Sequence, residues 1–214
     1  MAKSTAKKSI GREIWEWCYT IVIALAIALV IKAFLFDIVV VDGSSMHPTL
    51  KDGERLIVTK LGYTPENGDI VILDSTYKQR QDYYDGIAEA KGKDELNAFE
   101  KFTNYLTLPD NLKTRFYVKR VIALPGETVD IKNGVVFLNG EVLEEEYYDG
   151  TTAPTDGSVT YPVTVDENYV FVMGDNRYNS TDSRSSGLGQ VPYDAVIGKA
   201  QLRIFPFNRL GTVD

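Results

Sequence analysis

The segment Asp42-Gly43-Ser44-Ser45-Met46-His47-Pro48-Thr49-Leu50 places two serines between a glycine and a proline. Such a cluster ordinarily makes a turn, and it becomes chemistry only if a base can take a hydroxyl proton. The single histidine, His47, lies two positions from Ser45, where local backbone geometry makes it hard for the imidazole to turn back onto that hydroxyl. His47 therefore reads as a solvent-facing residue or a pocket wall. A lysine can act as the base instead, provided that apolar burial disfavours its ammonium form. Lys119 meets that condition, standing in Tyr117-Val118-Lys119-Arg120-Val121-Ile122-Ala123-Leu124-Pro125-Gly126. Arg120 falls on the opposite face by strand alternation and stays charged. A second polar stretch, Gly174 to Ser186, gathers Asp175, Arg177, Ser180, Asp182 and Arg184, and by composition alone it is a solvated loop.

The elements that must hold these residues begin with the amino-terminal third. From Trp17 to Phe36 only Thr20 and Lys32 are not hydrophobic. A helix of about 20 residues spans the ~30 Å of a bilayer's hydrocarbon core. A cleaved secretory signal has a shorter apolar core, and a buried helix of a soluble protein carries a polar face. The segment is read as a single transmembrane helix with Trp15, Trp17 and Tyr19 at one interface and Lys32 snorkelling to the other. Lys3, Lys7, Lys8 and Arg12 put residues 1–16 in the cytoplasm by the positive-inside rule, and 37–214 outside it.

Beyond the helix the pattern is mostly strand. Ile38–Val41, Leu56–Val58, Ile70–Leu73, Phe116–Leu124 and Tyr169–Met173 are short β-branched or aromatic runs bounded by turn residues. Asn133-Gly134 and Asn139-Gly140 predict a meander over 128–143, and 195–205 reads as the last strand. Between two strands lies an insertion, 74–115, with seven basic and eight acidic residues. There Leu96, Phe99, Phe102 and Leu106 predict a helix after a cap at Asp94, packed back on the sheet. Its aromatic residues leave a role in steering substrates or touching the bilayer as the other reading. Glu144-Glu145-Glu146 reads as a solvated edge.

Composition removes several function classes. The 214 residues are 44% hydrophobic and 25% charged, as in a folded protein of one or two domains. A net charge of −7 disfavours nucleic acid as a partner. One cysteine, Cys18, closes no intramolecular disulfide, and one histidine makes no usual zinc site, so no metal or cofactor is expected.

Four blocks in order carry a resemblance: Ser45-Met46-x-Pro48-Thr49-Leu50, Gly68-Asp69-Ile70-Val71, Lys119-Arg120-Val121-x-x-Leu124-Pro125-Gly126, and Gly174-Asp175-Asn176-Arg177-x-Asn179-Ser180-x-Asp182-Ser183-Arg184. Behind a membrane anchor, this order resembles the type I signal peptidase family. The resemblance implies a mainly β catalytic domain, barrel-like and extracytoplasmic, on a single-pass bacterial plasma-membrane protein. It also implies a Ser-Lys endopeptidase that cuts signal peptides from exported preproteins after small residues at −3 and −1, through an acyl-enzyme.

Position by position, the resemblance makes Ser45 the nucleophile, Lys119 the base, Ser180 a hydroxyl that orients the lysine, and Asp182 with Arg184 a supporting ion pair. Asp175 and Arg177 belong to the same motif, and Met46 passes equally as a core or pocket residue. Gly43 stands where some relatives carry a serine that joins the oxyanion hole, as in the Gram-positive branch, which leaves the hole to backbone N–H groups such as that of Ser45. Implied partners are preprotein signal peptides, the phospholipid bilayer and the translocation machinery. Self-cleaving SOS repressors share a Gly-x-Ser-Met nucleophile and a later lysine, but this chain lacks their DNA-binding head. A non-enzymatic membrane-anchored adhesion or assembly domain is the reading from a different class.

Overall fold

The computed structural model describes residues 10–30, 35–152 and 157–213. Helix α1 covers Ile10–Val30, beginning seven residues before the expected span, and Phe36 is already the first residue of strand β1 (Phe36–Val40). Lys32 and the basic residues Lys3, Lys7 and Lys8 lie outside the described residues. Among those described, no helix is long and apolar enough to cross a membrane. From Gly11 to Leu29 every residue of α1 but Glu16 is nonetheless exposed, with Trp15, Trp17, Leu25 and Leu29 each more than half accessible.

The remaining strands are β2 (Arg55–Thr59), β3 (Ile70–Asp74), β4 (Phe116–Ala123), β5 (Thr128–Lys132), β6 (Val135–Leu138), β7 (Glu141–Val142), β8 (Val163–Thr164), β9 (Tyr169–Met173), β10 (Val191–Pro192), β11 (Val196–Phe205) and β12 (Gly211–Thr212). They form an eight-stranded sheet in the order β1-β2-β11-β3-β4-β9-β10, with β12 beside β11, and a four-stranded sheet in the order β7-β6-β5-β8. The protein is mainly β. The expected strands are all present, but 196–205 is followed by β12, a two-residue strand too short to leave a periodic signal. Positive φ at Asn133, Gly134, Asn139 and Gly140 makes the two turns of the meander, a conformation those residues tolerate better than others do.

Three apolar clusters hold the sheets. Val71, Leu73, Val121 and Val172 pack the centre of the large sheet, and Ile122, Val129, Val136, Phe171 and Met173 join it to the small one. Val41, Met46, Leu50, Leu56 and Ile70 form the third cluster, which lies directly beneath the serine turn.

The insertion differs from expectation in two ways. It holds two helices, α2 (Tyr77–Ala90) and α3 (Ala98–Leu106). The buried positions of α2 repeat every four residues, but they are Arg80, Tyr84 and Ala88, so a charged residue hides the apolar stripe. The cap of α3 is Asn97 rather than Asp94: Glu100 N–H donates to Asn97 Oδ1 at 2.9 Å, and Asn97 N–H donates to Glu100 Oε2 at 3.1 Å. Leu96 thus stands outside the helix and turns inward with Tyr84, Ala88 and Leu108. Phe99, Phe102 and Leu106 face away from that small core and are exposed, so α3 does not pack its apolar face on the sheet.

Candidate active site

Ser45 sits in the turn between β1 and β2, fixed by its neighbours: Met46 and Leu50 are fully buried in the cluster below it. Lys119 comes from β4, where it pairs with Val71 of β3, and only 2% of it is accessible. Its Nζ lies 2.9 Å from Ser45 Oγ and 2.9 Å from the carbonyl oxygen of Val118. His47 is exposed and does not line the groove that contains Ser45 and Lys119.

Burial lowers the pKa of Lys119 to about 8; the charges of Asp182 and Asp175 oppose that shift, and Arg184 adds to it. Those two carboxylates are already paired. Arg120 holds Asp175 through two bonds of 2.9 Å, and Arg184 holds Asp182 through two of the same length. Among the described residues no carboxylate forms an ion pair with Lys119. Burial pushes the Asp182 carboxyl up, but the Arg184 hydrogen bond and charge, with the Gly174 N–H, outweigh it and hold the group below its ordinary range. Arg120, expected on the face opposite Lys119, is buried against Asp175 with its guanidinium 3.8 Å from the centre of the Tyr147 ring.

The stretch from Gly174 to Arg184 is a built support rather than a solvated loop. Asn176 N–H donates to the carbonyl of Ser45 at 3.0 Å, its side-chain amide to the carbonyl of Ser44, and the Asn179 amide to Ser44 Oγ at 2.8 Å. Gly174 permits this approach, since a Cβ there would lie 2.4 Å from the Ser45 carbonyl oxygen and 2.3 Å from Ser180 Oγ. Ser180 Oγ is buried close enough to the Asp182 carboxylate to help hold its pKa down, and Lys119 Nζ bonds to Ser45 and Val118 rather than to it. Gly43 donates its N–H to Asp52 at 2.8 Å, whereas the N–H of Ser45 has no acceptor among the described residues.

Sequence reasoning missed Glu145, Tyr147 and Thr152. Glu145 is no solvated edge: it pairs with both terminal nitrogens of Arg177, which also donates to Thr152 Oγ1 and, through Nε, to the carbonyl of Gly174. The partners are 32 residues apart, so no local pattern announces them. Removing the carboxylate would leave a buried guanidinium unpaired. Glu145→Ala is therefore expected to cost roughly 3 kcal/mol of stability, and Glu145→Gln less, as read from chemical denaturation midpoints.

A groove of about 1020 Å³ runs past the pair, lined by Asp37–Met46, Phe116–Lys119 and Arg177–Thr181. Two strand edges border it. Among the described residues β1 pairs only with β2, and β4 pairs with β9 only from Arg120 onward, so Phe116–Lys119 keep an open edge there. Open edges of this kind can accept an extended peptide as an added strand.

The family model described as signal peptidase, peptidase S26, matches residues 14–205. This chain belongs to that family. It is similar to a signal peptidase I of Bacillus licheniformis, 38% identical over 221 residues that cover 99% of this chain and 98% of the relative. It is also similar to signal peptidase I T of Bacillus subtilis, 36% identical over 97% of this chain and 93% of the relative. Within this signal peptidase family member, three of the four blocks that carried the resemblance contribute residues to one groove, where Ser45 and Lys119 are in contact, and Val71 of the remaining block pairs with Lys119 in the sheet.

Proposed function

We propose that this protein is a serine endopeptidase that removes signal peptides from exported preproteins, with Ser45 as nucleophile and Lys119 as general base. The 2.9 Å contact between a serine hydroxyl and a buried lysine that lacks a carboxylate partner carries the reading. The neutral amine accepts the Ser45 proton as Oγ attacks the scissile carbonyl. The oxyanion that forms is met by the free N–H of Ser45. Lys119, now an ammonium, gives its proton to the departing amine, which leaves an acyl ester on Ser45. The Lys119 amine, neutral again, then takes a proton from water as that water attacks the ester, and returns it to Ser45 Oγ as the signal peptide is released with a new carboxylate.

The substrate lies extended between the open edges of β1 and β4, with small side chains at −3 and −1. Ser180, Asp182, Arg184, Asp175, Arg177, Gly43 and Met46 position the reacting pair. The apolar run from Trp17 to Phe36, which α1 covers only as far as Val30, anchors the chain in the bacterial plasma membrane with residues 1–16 in the cytoplasm and the β domain outside. This topology brings the groove to the membrane face where preproteins emerge. Membership of the signal peptidase family supports the substrate class. A binding module for adhesion or assembly would gain nothing from a buried lysine held to about 8.

The test is incubation of the detergent-solubilised protein with a preprotein, followed by sequencing of the new amino terminus. Cleavage after a small residue, with small residues at −3 and −1, is expected. An intact preprotein, or cuts scattered along the chain, would overturn the reading.

A further inference from the structure

A second recess, of about 240 Å³, opens beside the active-site groove, and the two share Tyr117 and Thr181. Most of its wall comes from the insertion. Gln79 of α2, Asn111 of the return stem that runs from α3 back to β4, and Arg115 line it, and all three residues are exposed. Among the described residues Arg115 has no carboxylate partner, although most charged groups near the site are paired.

The wall is fixed rather than loose. Asp74 and Arg80 form a buried ion pair at the base of the insertion, and Arg80 also reaches the carbonyl of Leu112 on the return stem. Ser75 donates both its N–H and its hydroxyl to the Arg115 carbonyl, at 2.9 and 3.0 Å. Arg115 is therefore held at the point where the insertion passes into β4, two residues before Tyr117 and four before Lys119. An unpaired cation with amide donors around it, next to a peptide groove, suits a carboxylate.

We infer that the insertion builds an accessory subsite that takes an acidic side chain of the preprotein near the scissile bond, with Arg115 as its specificity-determining residue. This rests on the endopeptidase reading above. The insertion then serves as a selector added to the rim of the groove, not as decoration of the sheet.

A signal-peptide substrate with alanine at the variable positions from −6 to +6, replaced one at a time by aspartate or lysine, tests the subsite. For each enzyme the readout is the ratio of kcat/KM for the substituted peptide to that for the parent. The wild type is expected to favour aspartate about threefold at one position or two adjacent ones, the size of a single exposed ion pair, and less so at high salt. Arg115→Ala should bring that ratio to one, and Arg115→Glu should turn the preference to lysine at the same positions. No acidic preference at any position, or one that persists in Arg115→Glu, would overturn the subsite while leaving the endopeptidase standing. A parent peptide that the wild type does not cleave would overturn the endopeptidase reading and the subsite with it. Binding of Arg115 to anionic lipid instead of substrate would show as a loss on vesicles with no change in the soluble-peptide ratios, and would likewise overturn it.

Discussion

Ser45→Ala and Lys119→Ala are each expected to abolish cleavage of a signal-peptide substrate, by on the order of 10⁴-fold or more in kcat. The hydroxyl and its base act as one unit, so the double variant should be little worse than either single one. The geometry makes the two losses alike: Ser45 Oγ has Lys119 Nζ at 2.9 Å, and His47 is exposed outside the groove. His47→Ala should stay within about twofold of the wild type, since His47 supplies neither proton transfer nor groove wall. Steady-state rates on one peptide decide this, with circular dichroism showing that each variant is folded. A Lys119→Ala enzyme that cleaves at near wild-type rate would remove lysine from the mechanism.

The second large effect is on pH dependence. In the proposed mechanism the neutral amine of Lys119 is the active form, and burial lowers its pKa to about 8. kcat/KM should therefore rise about tenfold per pH unit below 8, level off above it, and show no separate step near the ~6.5 of an ordinary imidazole.

The same shift acts on stability with a definite sign. The unfolded chain keeps the lysine proton up to about 10.4, whereas the folded chain loses it near 8. Between those values the unfolded state binds more protons, so stability rises with pH there. Below pH 8 both states hold the proton, and the folded one bears the full cost of a buried ammonium. Lys119→Met removes that cost and should raise stability at pH 7 by up to roughly 3 kcal/mol, with a gain that shrinks toward pH 10. Urea melts at pH 7 and 9.5, beside rate profiles, would show a catalytically dead protein that is more stable than its parent. A Lys119→Met protein of lower stability at pH 7 would mean that the ammonium is well accommodated.

How much of this could be read from residues alone depends on the range of the interaction. Strands such as Ile70–Leu73 and turns such as Asn133-Gly134 announce themselves because alternation and left-handed backbone are local properties. Lys119 was legible for a similar reason, since an apolar strand around a lysine already implies burial. Arg120 was not, because alternation says which face a residue takes and not that Asp175, 55 positions on, waits there. Glu145 failed in the same way, with its partner Arg177 in another part of the chain.

Helix α2 escaped notice because Arg80 occupies one of its buried positions, satisfied by Asp74. The apolar residues of α3 had the right spacing, but spacing cannot say whether a partner exists, and Phe99 and Phe102 face outward. The apolar segment from Trp17 showed its composition plainly, whereas the exchange of helix for strand by Phe36 depends on pairing with Thr59 of β2.

Intact-protein mass spectrometry with a lactam-type acylating probe, followed by peptide mapping, tests the dyad most directly. The account predicts a single covalent adduct on Ser45, formed faster as pH rises through about 8 and absent in Lys119→Ala. An adduct on another residue, or one that forms on Ser45 at an undiminished rate without Lys119, would contradict it.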